Sequence, residues 1–560
     1  MADRVWEKSY PPGLSWDAPL PPAIAFENYL TQAADKWPDR TVIDFYGRRI
    51  SFKEAHELST RVAAGLQSLG VGPGANVGLF LPNTPHYLVF LFGTLMAGGT
   101  VVNFGPLTGP REFSRQLADA DIRVMVTIDM PMYYSRIADL MGTEKLETMI
   151  LCGIEDFLDA DGSKRLNPAK SRRRETAGRQ IPFAEFADND GAYISHPRGK
   201  LEEEVAVLQY TGGTTGEPKG AMLTHANFSA VLNLGGRVSA AFFGDRMPVD
   251  MPPLKMLVAM PLCHITGFVS AILGPMISGA EIILHLRFDA ATVLEDIEGK
   301  GVQAFIGVPA MYAALISHPD FSKRSLGSLM GWSVGGAAMP RDTENRFREQ
   351  IKTPLHEGYG LTETTGYATF QFAGAGGREG PKVVGLPAPL TTIEIVDLET
   401  GMEVLRPGRE GEICISGPQV MLGYWNEPEA TQAAFRGGRF HTGDVGVLSE
   451  EGYLSILDRK KDMILTGGFN VYPVRIENAI YEHPSVAEVA VIGVDHPSFG
   501  QIAKAFIVLQ DGAERLTHSQ LLDFLSDKLS KVEMPLEMEI RTELPKTHVG
   551  KMAKRDLRAP

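Results

Sequence analysis

The segment 210–225, YTGGTTGEPKGAMLTH, limits the possible folds of this chain more than any other segment. It follows an apolar run at 205–208 that is typical of a buried strand, and it precedes a run at 226–235 that is typical of a helix. Its glycines let the backbone approach a bulky anion, while its threonines and Lys219 add hydroxyl donors and a positive charge. The segment therefore predicts a phosphate-binding loop between a strand and a helix.

This loop differs from a Walker A loop, because Lys219 follows Pro218 instead of a glycine and is not followed by Ser or Thr. The alternative is a flexible turn rich in Gly and Thr. A nucleotide site needs further polar loops besides this one, so their presence elsewhere in the sequence would favour the phosphate-binding loop over the flexible turn.

The length, net charge and cysteine content of the chain limit the kinds of protein it could be. At 560 residues it is too long for one hydrophobic core, so two or more domains are expected. The net charge of −14 argues against a nucleic-acid partner, because binding a phosphate backbone needs a basic face. The three cysteines are scattered, which argues against a disulfide framework or a C-x-x-C metal site and fits a cytoplasmic protein.

Neither a signal peptide nor a transmembrane segment is predicted. The N-terminus carries charges where a signal peptide needs an apolar core. Two long uncharged segments, 87–104 and 256–280, are interrupted by glycines in the first and by prolines and a histidine in the second. We expect both to form buried helices and strands of an α/β domain.

Strand-like and helix-like segments alternate along most of the chain, which predicts an α/β fold of parallel sheets with crossover helices. Short strands separated by turns follow at 389–457 and predict a β subdomain. A charged segment at 458–462 then precedes a compact α+β unit. We therefore expect a large N-terminal domain of stacked α/β sheets at 1–457 and a small C-terminal domain at 458–560.

Three further segments carry polar groups suited to a nucleotide. The loop 358–364, GYGLTET, offers Tyr359 for stacking on a base, Thr362 for a phosphate and Glu363 for Mg²⁺. The segment 440–444, FHTGD, offers the Asp444 carboxylate to the two hydroxyls of a ribose. Near the C-terminus, Lys551 follows a glycine in what we expect to be a mobile loop. Each signal alone is weak, but the set in this order is specific.

In this order and spacing, the motifs resemble the adenylate-forming superfamily of acyl-CoA synthetases, nonribosomal adenylation domains and luciferases. The resemblance covers residues from about 24 to 557. Within the superfamily the chain resembles bacterial fatty-acyl-CoA ligases most, through YTGGTTG at 210–216, HTGD at 441–444 and DRKKDMILTGGFNVYP at 458–473. This implies an enzyme that makes acyl-CoA from a medium- or long-chain fatty acid through an acyl-adenylate, using ATP, Mg²⁺ and CoA and releasing AMP and pyrophosphate.

The resemblance also implies roles for individual positions. The residues on ATP would be Thr211, Gly212, Gly213, Thr214, Thr215, Gly216, Lys219, Gly336, Ala337, Gly358, Tyr359, Gly360, Asp444 and Arg459. The residues with catalytic roles would be His264, Thr362, Glu363 and Lys551, with Glu363 and Thr215 on Mg²⁺. The residues on the acyl group would be His264, Phe268, Val308, Gly335 and Gly336, and those on the CoA channel Gly467, Gly468 and Phe469.

The chemistry agrees with these implied roles. A carboxylate that attacks the α-phosphorus is already ionised, so the reaction needs charge neutralisation and in-line positioning rather than a general base. Mg²⁺ on Glu363 and the ammonium of Lys551 would supply the neutralising charge. The resemblance implies that the C-terminal domain is mobile and rotates about Lys461, which would withdraw Lys551 and bring the segment 467–469 to the CoA channel.

Two features stand apart from this pattern. The superfamily usually has a Glu two residues after the Tyr-Pro pair at 472–473, where this chain has Arg475. The segment 155–197 is polar, irregular and basic in parts, and we expect it to be a solvated surface insertion. Its basic residues are also candidates for binding the 3′-phosphate of CoA or anionic lipid headgroups.

Three alternatives stay open on the sequence alone. The acid would be dicarboxylic if His285 or Arg287 capped the far end of the acyl tunnel. The acceptor would differ from CoA in a carrier-protein-loading or luciferase-like enzyme, although only nine residues follow Lys551. The third alternative is a nucleotide-binding protein that has no catalytic activity. The presence of all the expected polar site residues argues against it. The acyl chain length, a homodimer and peripheral membrane contact stay open as well.

Overall fold

The computed structural model describes residues 4–558 apart from several short segments. These segments are 144, 159–161, 163–165, 167–168, 172, 174, 212–217, 244–252, 337–338, 340, 352, 354, 372–382 and 547–551. Most of the described chain before residue 370 forms two seven-stranded sheets with the helices that connect their strands.

The first sheet is parallel except at one edge, where Thr41–Phe45 and Arg48–Ser51 form an antiparallel pair. Its strands in spatial order are Leu355–Glu357, Gly331–Val334, Ala304–Gly307, Lys255–Val258, Glu281–Leu284, Thr41–Phe45 and Arg48–Ser51. Because the central strands are parallel, their carboxyl ends all lie at the same edge of the sheet.

The second sheet is likewise parallel except at one edge, where the strand Lys219–Thr224 runs antiparallel to Val205–Thr211. Its strands in spatial order are Arg179–Pro182, Thr148–Cys152, Val124–Ile128, Asn76–Phe80, Thr100–Asn103, Val205–Thr211 and Lys219–Thr224. The predicted phosphate loop therefore joins the two strands of an edge hairpin, and the strand Lys219–Thr224 leads directly into the long helix His225–Phe243.

Helices connect and cover the two sheets, and a shared apolar core runs across both of them. The longer helices are Asn28–Lys36, Phe52–Ser68, Pro85–Met96, Pro110–Asp119, Pro131–Leu140, His225–Phe243, Ala290–Lys300, Pro309–Ser317 and Arg341–Gln350. Their ends follow from the sequence. Ser51 accepts a hydrogen bond from the backbone N–H of Glu54 at the start of Phe52–Ser68, and Gly301 ends Ala290–Lys300 with a left-handed φ of 65°.

The third sheet follows the first two and is antiparallel. Its strands in spatial order are Thr369–Phe370, Val383–Pro387, Leu454–Arg459, Arg439–Leu448, Gly411–Ser416 and Thr392–Val396, and Phe435–Arg436 pairs with Arg439–Leu448. The N-terminal segment lies against this sheet, where Trp6 is buried and Tyr10 donates a hydrogen bond to the carbonyl of Pro387 over 2.6 Å.

The C-terminal sheet has five strands and an apolar core of its own. Its strands are Phe469–Val471, Ile464–Thr466, Gly500–Leu509, Val486–His496 and Glu537–Ile540, and its helices are Pro473–Tyr481, His518–Leu525 and Lys554–Leu557. The predicted α/β fold class, with stacked sheets, a β subdomain and an α+β C-terminal unit, is confirmed. The predicted domain boundary at 457/458 falls within the strand Leu454–Arg459, and the division into two domains stays a prediction.

Within the part of the chain that the structure describes, no helix combines the length and apolar character that crossing a membrane requires.

Candidate active site

One continuous cavity of about 2030 Å³ lies between the three N-terminal sheets and the C-terminal unit. Most of the predicted site residues that the structure describes line it, and most of these follow the carboxyl ends of first-sheet strands. Val308 follows Ala304–Gly307, Gly335 and Gly336 follow Gly331–Val334, and Tyr359 lies two residues beyond Leu355–Glu357. This placement is the usual position for ligands in open α/β sheets.

The cavity has a polar half and an apolar half. The polar half consists of the lining residues Thr211, Gly358, Tyr359, Gly360, Thr362, Glu363, Tyr424, Asp444 and Arg459. The apolar half consists of Val231, Leu232, Gly235, Gly236, Val238, Ser239, Leu254, Met256, Val269, Ser270, Gly274, Pro275, Ile277, Ser278, Gln303, Ala304, Ile306, Val308, Ala310, Ala313, Met330 and Gly331.

In the polar half, Asp444 is held by two predicted partners. The hydroxyl of Tyr359 donates to Asp444 Oδ2 over 2.5 Å, and Arg459 Nε lies 2.6 Å from Asp444 Oδ1. The antiparallel register of the third sheet places Asp444 directly opposite Arg459. The Asp444 carboxylate raises the pKa of Arg459, and burial together with this carboxylate raises the pKa of Tyr359. The three residues thus form a rigid, charged wall suited to ribose hydroxyls and an adenine ring.

Glu363 lies in the short helix Thr362–Thr364, on the same side of the cavity. Its Oε1 accepts a hydrogen bond from the Tyr424 hydroxyl over 2.9 Å, and its backbone carbonyl accepts one from the N–H of Met421 over 2.8 Å. Burial raises the pKa of Glu363. A buried carboxylate with a raised pKa gains from a nearby cation, so this position favours a cationic ligand.

Tyr424 was not predicted, yet it joins Glu363 to the hairpin that carries the phosphate loop. The Lys219 ammonium lies 5.2 Å from the centroid of the Tyr424 ring. The backbone around Tyr424 also pairs with the strand Lys219–Thr224, since Trp425 N donates to Gly220 O over 2.7 Å. The available sequence signal was the Gly-Tyr-Trp run at 423–425, which is too common to indicate a site on its own.

The described residues of the polar half could bind Mg²⁺ together with the phosphates of a bound triphosphate, but they offer too few ligands to bind it without one. Mg²⁺ commonly binds one or two carboxylates together with substrate phosphates. Glu363 offers one such carboxylate, and the described residues contain no group of three or more His, Cys, Asp or Glu that could hold a metal by themselves. Thr215, the second predicted metal residue, lies outside the described residues.

His264 lines the cavity near the junction of the two halves, on a loop that two buried amides hold in place. Asn83 donates to the carbonyl of Met260 over 2.8 Å and accepts from the N–H of Leu262 over 2.9 Å. Gln209, on the strand that leads into the phosphate loop, donates to the carbonyl of Cys263 over 2.9 Å. Neither amide was predicted, because isolated Asn and Gln residues carry no motif.

Of the remaining described residues that were predicted, Lys219 lines a smaller pocket with Gly220 and Trp425, and the others lie away from the cavity wall. Phe268 is fully buried in an aromatic cluster with Phe26 and Phe228, so it lies behind the wall rather than on the acyl surface. Lys461 lies in the turn after Leu454–Arg459, and burial lowers its pKa to about 8. Gly467 and Gly468 form an exposed hairpin turn at φ 57° and 86°, followed by Phe469, which is 60% exposed.

Several predicted residues lie outside the described part of the chain. They are Gly212, Gly213, Thr214, Thr215, Gly216, Ala337 and Lys551. The residues that flank 547–551 are described, and Lys546 and Met552 pair with each other through an antiparallel bridge. Both of these described residues line the cavity.

Arg475, where the superfamily pattern usually has Glu, is 65% exposed at its side chain and lies 3.0 Å from Glu533. The neighbouring Glu477 accepts a hydrogen bond from the N–H of Val491 and pairs with Lys554 over 2.8 Å. In the segment 155–197, the described Arg173 pairs with Asp129 over 2.8 Å. The roles suggested for that segment stay predictions.

Comparison with known families places this site among AMP-binding enzymes. The model of the family described as AMP-binding enzyme matches residues 30–425, and the model of the AMP-binding enzyme C-terminal domain matches residues 475–551. The two matches together include the described residues of the polar half except Asp444 and Arg459, which fall between them.

Individual relatives cover nearly the whole chain. It is 35% identical over 563 residues to a long-chain-fatty-acid–CoA ligase of Bacillus subtilis (strain 168), covering 100% of this chain and 98% of that protein. It is 33% identical over 523 residues to a feruloyl-CoA synthase of Amycolatopsis sp, covering 93% and 96%. The crystal structure of ATP-bound MatB from Rhodopseudomonas palustris matches with a TM-score of 0.81 at 30% identity, covering 96% of this chain and 98% of that one.

Proposed function

Because the chain belongs to the AMP-binding enzymes, and within them to the adenylate-forming acyl-CoA ligases, we propose that it joins a medium- or long-chain fatty acid to CoA. The family accounts for the type of reaction and for the use of ATP and CoA. The acid is the specific part of the proposal, since the relatives include enzymes named for a long-chain fatty acid and for a feruloyl group.

The observation that supports a fatty acid most is the composition of the apolar half. The residues that define it are mostly aliphatic or small, although His356, whose ring lies beside Gly331, also lines the cavity. Along the strand Ala304–Gly307 the alternating residues Ala304, Ile306 and Val308 line the cavity, while Phe305 belongs to the core on the opposite face. A long aliphatic chain would lose no hydrogen bonds in such a site and would gain from burial.

The length of the apolar half also supports a long chain. Along the strand Gly331–Val334 and its two flanking residues, the cavity is lined by Met330, Gly331, Ser333, Val334 and Gly335. The five residue steps from Met330 to Gly335 span about 17 Å in extended backbone, which suits a long acyl chain rather than a short one. The carboxylate would lie at the Gly335 end, beside the polar half, and the methyl end would point toward Met330.

The two residues that would favour a dicarboxylic acid lie elsewhere. His285 is buried and pairs with Asp296 over 2.8 Å, stacked against Tyr46. Arg287 is exposed, and neither residue lines the cavity. A second carboxylate would therefore not meet His285 or Arg287, and burying its charge in the largely aliphatic apolar half is costly unless His356, beside Gly331, pairs with it.

In the proposed reaction, a carboxylate oxygen attacks the α-phosphorus of ATP, the new O–P bond forms, and the bond to pyrophosphate breaks. Asp444 and Arg459 hold the ribose, Tyr359 packs against the adenine, and Lys219 with the phosphate loop holds the β- and γ-phosphates. A Mg²⁺ ion on Glu363 would offset the phosphate charge, and Lys551 would bridge the carboxylate and the α-phosphate. The CoA sulfur then attacks the acyl carbon, and AMP leaves.

The test is CoA-dependent release of AMP with a panel of acids. The panel includes saturated acids of six to eighteen carbons, their dicarboxylic counterparts and ferulic acid. We expect the highest kcat/KM with a monocarboxylic acid of more than ten carbons and little activity with its dicarboxylic counterpart. The proposal fails if a dicarboxylic or aromatic acid is preferred, or if AMP release does not depend on CoA.

A further inference from the structure

Two consecutive glycines, Gly235 and Gly236, lie in the interior of the helix His225–Phe243 and line the apolar half. Glycine is a poor helix former, because it loses more backbone freedom than other residues when a helix forms. Two adjacent glycines in the interior of a 19-residue helix therefore weaken it, and a compensating role is expected.

Close packing is the usual role, and other helix glycines of this protein show it. A Cβ on Gly65 would lie 2.7 Å from the ring of Phe186, and a Cβ on Gly93 would lie 2.4 Å from the side chain of Val62. At Gly235 and Gly236, by contrast, a Cβ would meet no atom of the described residues within 4 Å. Packing against the described residues therefore does not require these two glycines.

Their position in the cavity suggests a different role. The helix starts directly after the hairpin of the phosphate loop, at His225, and Gly235 is ten residues further along. At 1.5 Å per residue this is about 15 Å away from the loop, well into the apolar half. Gly236 is followed by Arg237, which donates to the backbone carbonyl of Ala18 over 2.6 Å and so ties the helix to the N-terminal segment.

We propose that Gly235 and Gly236 determine the acyl chain length that the cavity accepts, because their missing side chains leave the space for the distal part of a long chain. This inference rests on the proposed fatty-acid function. Larger residues at these positions shorten the usable cavity without touching the polar half, so adenylation of a short acid continues while that of a long acid is lost.

The test compares Gly235→Ala, Gly236→Ala and Gly236→Leu with the wild-type enzyme. The measured quantities are the ratio of kcat/KM for hexadecanoic acid to that for hexanoic acid, and the melting temperature. We expect Gly236→Leu to lower the ratio at least about 10-fold, with a smaller effect for the alanine variants. We expect each alanine variant to melt about 1 °C higher, because alanine favours the helix and no clash opposes it.

Two control variants distinguish the effect of filling the cavity from the effect of adding a larger side chain to a helix. Gly299→Ala adds a methyl group to a helix glycine that also has open space but does not line the cavity. Ala240→Leu adds bulk to the same helix at an exposed position that does not line the cavity. Both should leave the ratio at its wild-type value, and Gly299→Ala should show the same small rise in melting temperature.

The outcomes distinguish this inference from the proposed function. An unchanged ratio in Gly236→Leu, an equal loss for both acids, or a lower melting temperature of the alanine variants would overturn the inference alone. A wild-type enzyme that activates neither hexadecanoic nor hexanoic acid would overturn the proposed function, and the inference with it.

Discussion

The polar and apolar halves of the cavity are built in opposite ways. In the polar half, side chains are present and held by partners, as Asp444 is by Tyr359 and Arg459. In the apolar half, much of the surface is backbone or small side chain, as at Gly235, Gly236 and Ala304. Under the proposed function, the first arrangement would act on a nucleotide through charges at defined positions, and the second would select an acid through the space it leaves.

This difference predicts how the halves respond to substitution. A change in the polar half should affect all acids alike, because every acid passes through the same chemistry at the α-phosphorus. A change in the apolar half should alter the preference among acids and leave the use of ATP intact. The predictions below test this separation.

The largest effect is expected from Glu363→Gln in the polar half. The substitution keeps the shape of the side chain and removes the negative charge next to Tyr424. We expect AMP release to fall about 10²- to 10³-fold, equally for hexadecanoic and hexanoic acid, because charge stabilisation at the phosphates is lost. Glu410→Gln, at an exposed carboxylate that also lines the cavity, is the control and should stay near wild type. A loss of AMP release with hexadecanoic acid alone would contradict the expectation that the polar half acts on all acids alike.

A smaller and selective effect is expected from Ala304→Leu in the apolar half. Ala304 starts the strand Ala304–Gly307 and lines the apolar half, while the carboxyl end of that strand leads to Val308, so added bulk at Ala304 should obstruct only the distal part of a long chain. We expect the ratio of kcat/KM for hexadecanoic to hexanoic acid to fall about 10-fold. The KM for ATP, measured with hexanoic acid, serves as the internal control. A raised KM for ATP would contradict the separation of the halves.

Tyr424→Phe should have a moderate effect that is specific to the metal. The variant loses the hydrogen bond to the Glu363 carboxylate, and one such bond contributes about 1 kcal/mol, or about fivefold. We expect the Mg²⁺ concentration for half-maximal AMP release to rise by about this factor. Tyr472→Phe is the matched control, because Tyr472 also lines the cavity but donates to Glu410. Equal Mg²⁺ requirements of both variants would show that Tyr424 does not position Glu363.

The smallest effect concerns the pH dependence of stability. Burial raises the pKa of Asp458 to about 6, from an ordinary value of 3.8. Between these two pH values the carboxyl is ionised in the unfolded state but still largely protonated in the folded state. The free energy of unfolding therefore falls as pH rises through this range, and the loss is complete above pH 6. Asp458→Asn should therefore gain melting temperature relative to wild type on going from pH 5 to pH 7.5, by about 1–3 °C. A gain that shrinks as pH rises would contradict this.

The sequence predicted the polar half better than the apolar half, and the reason is physical. Tyr359 and Glu363 lie in a short segment that follows a strand of the first sheet, and Asp444 lies within the strand Arg439–Leu448, yet all three belong to short motifs whose residue types indicate their chemistry. Tyr424 was missed because its contribution depends on a contact with Glu363 across 61 residues of sequence. Contacts of this kind leave no local pattern.

The apolar half depends on helix and strand orientation, which local sequence specifies poorly. The family resemblance implied that Phe268 lies on the acyl surface, but the short helix Ile265–Phe268 turns it toward Phe26 and Phe228. The run at 226–235 was predicted to form the first turns of a helix with no end assigned, and the extension of that helix to Phe243 places Gly235 and Gly236 in its interior. The space beside a glycine cannot be inferred without the surrounding elements.

The most direct test of the account is acid-dependent exchange of labelled pyrophosphate into ATP in the absence of CoA. An acyl-adenylate formed in the polar half can react back with pyrophosphate before any thiol is present. We predict rapid exchange with hexadecanoic acid and Mg²⁺ when CoA is omitted, and none when the acid is omitted. Exchange that requires CoA, or that occurs without any carboxylic acid, would contradict the central claim that the polar half performs adenylation for whichever acid the apolar half admits.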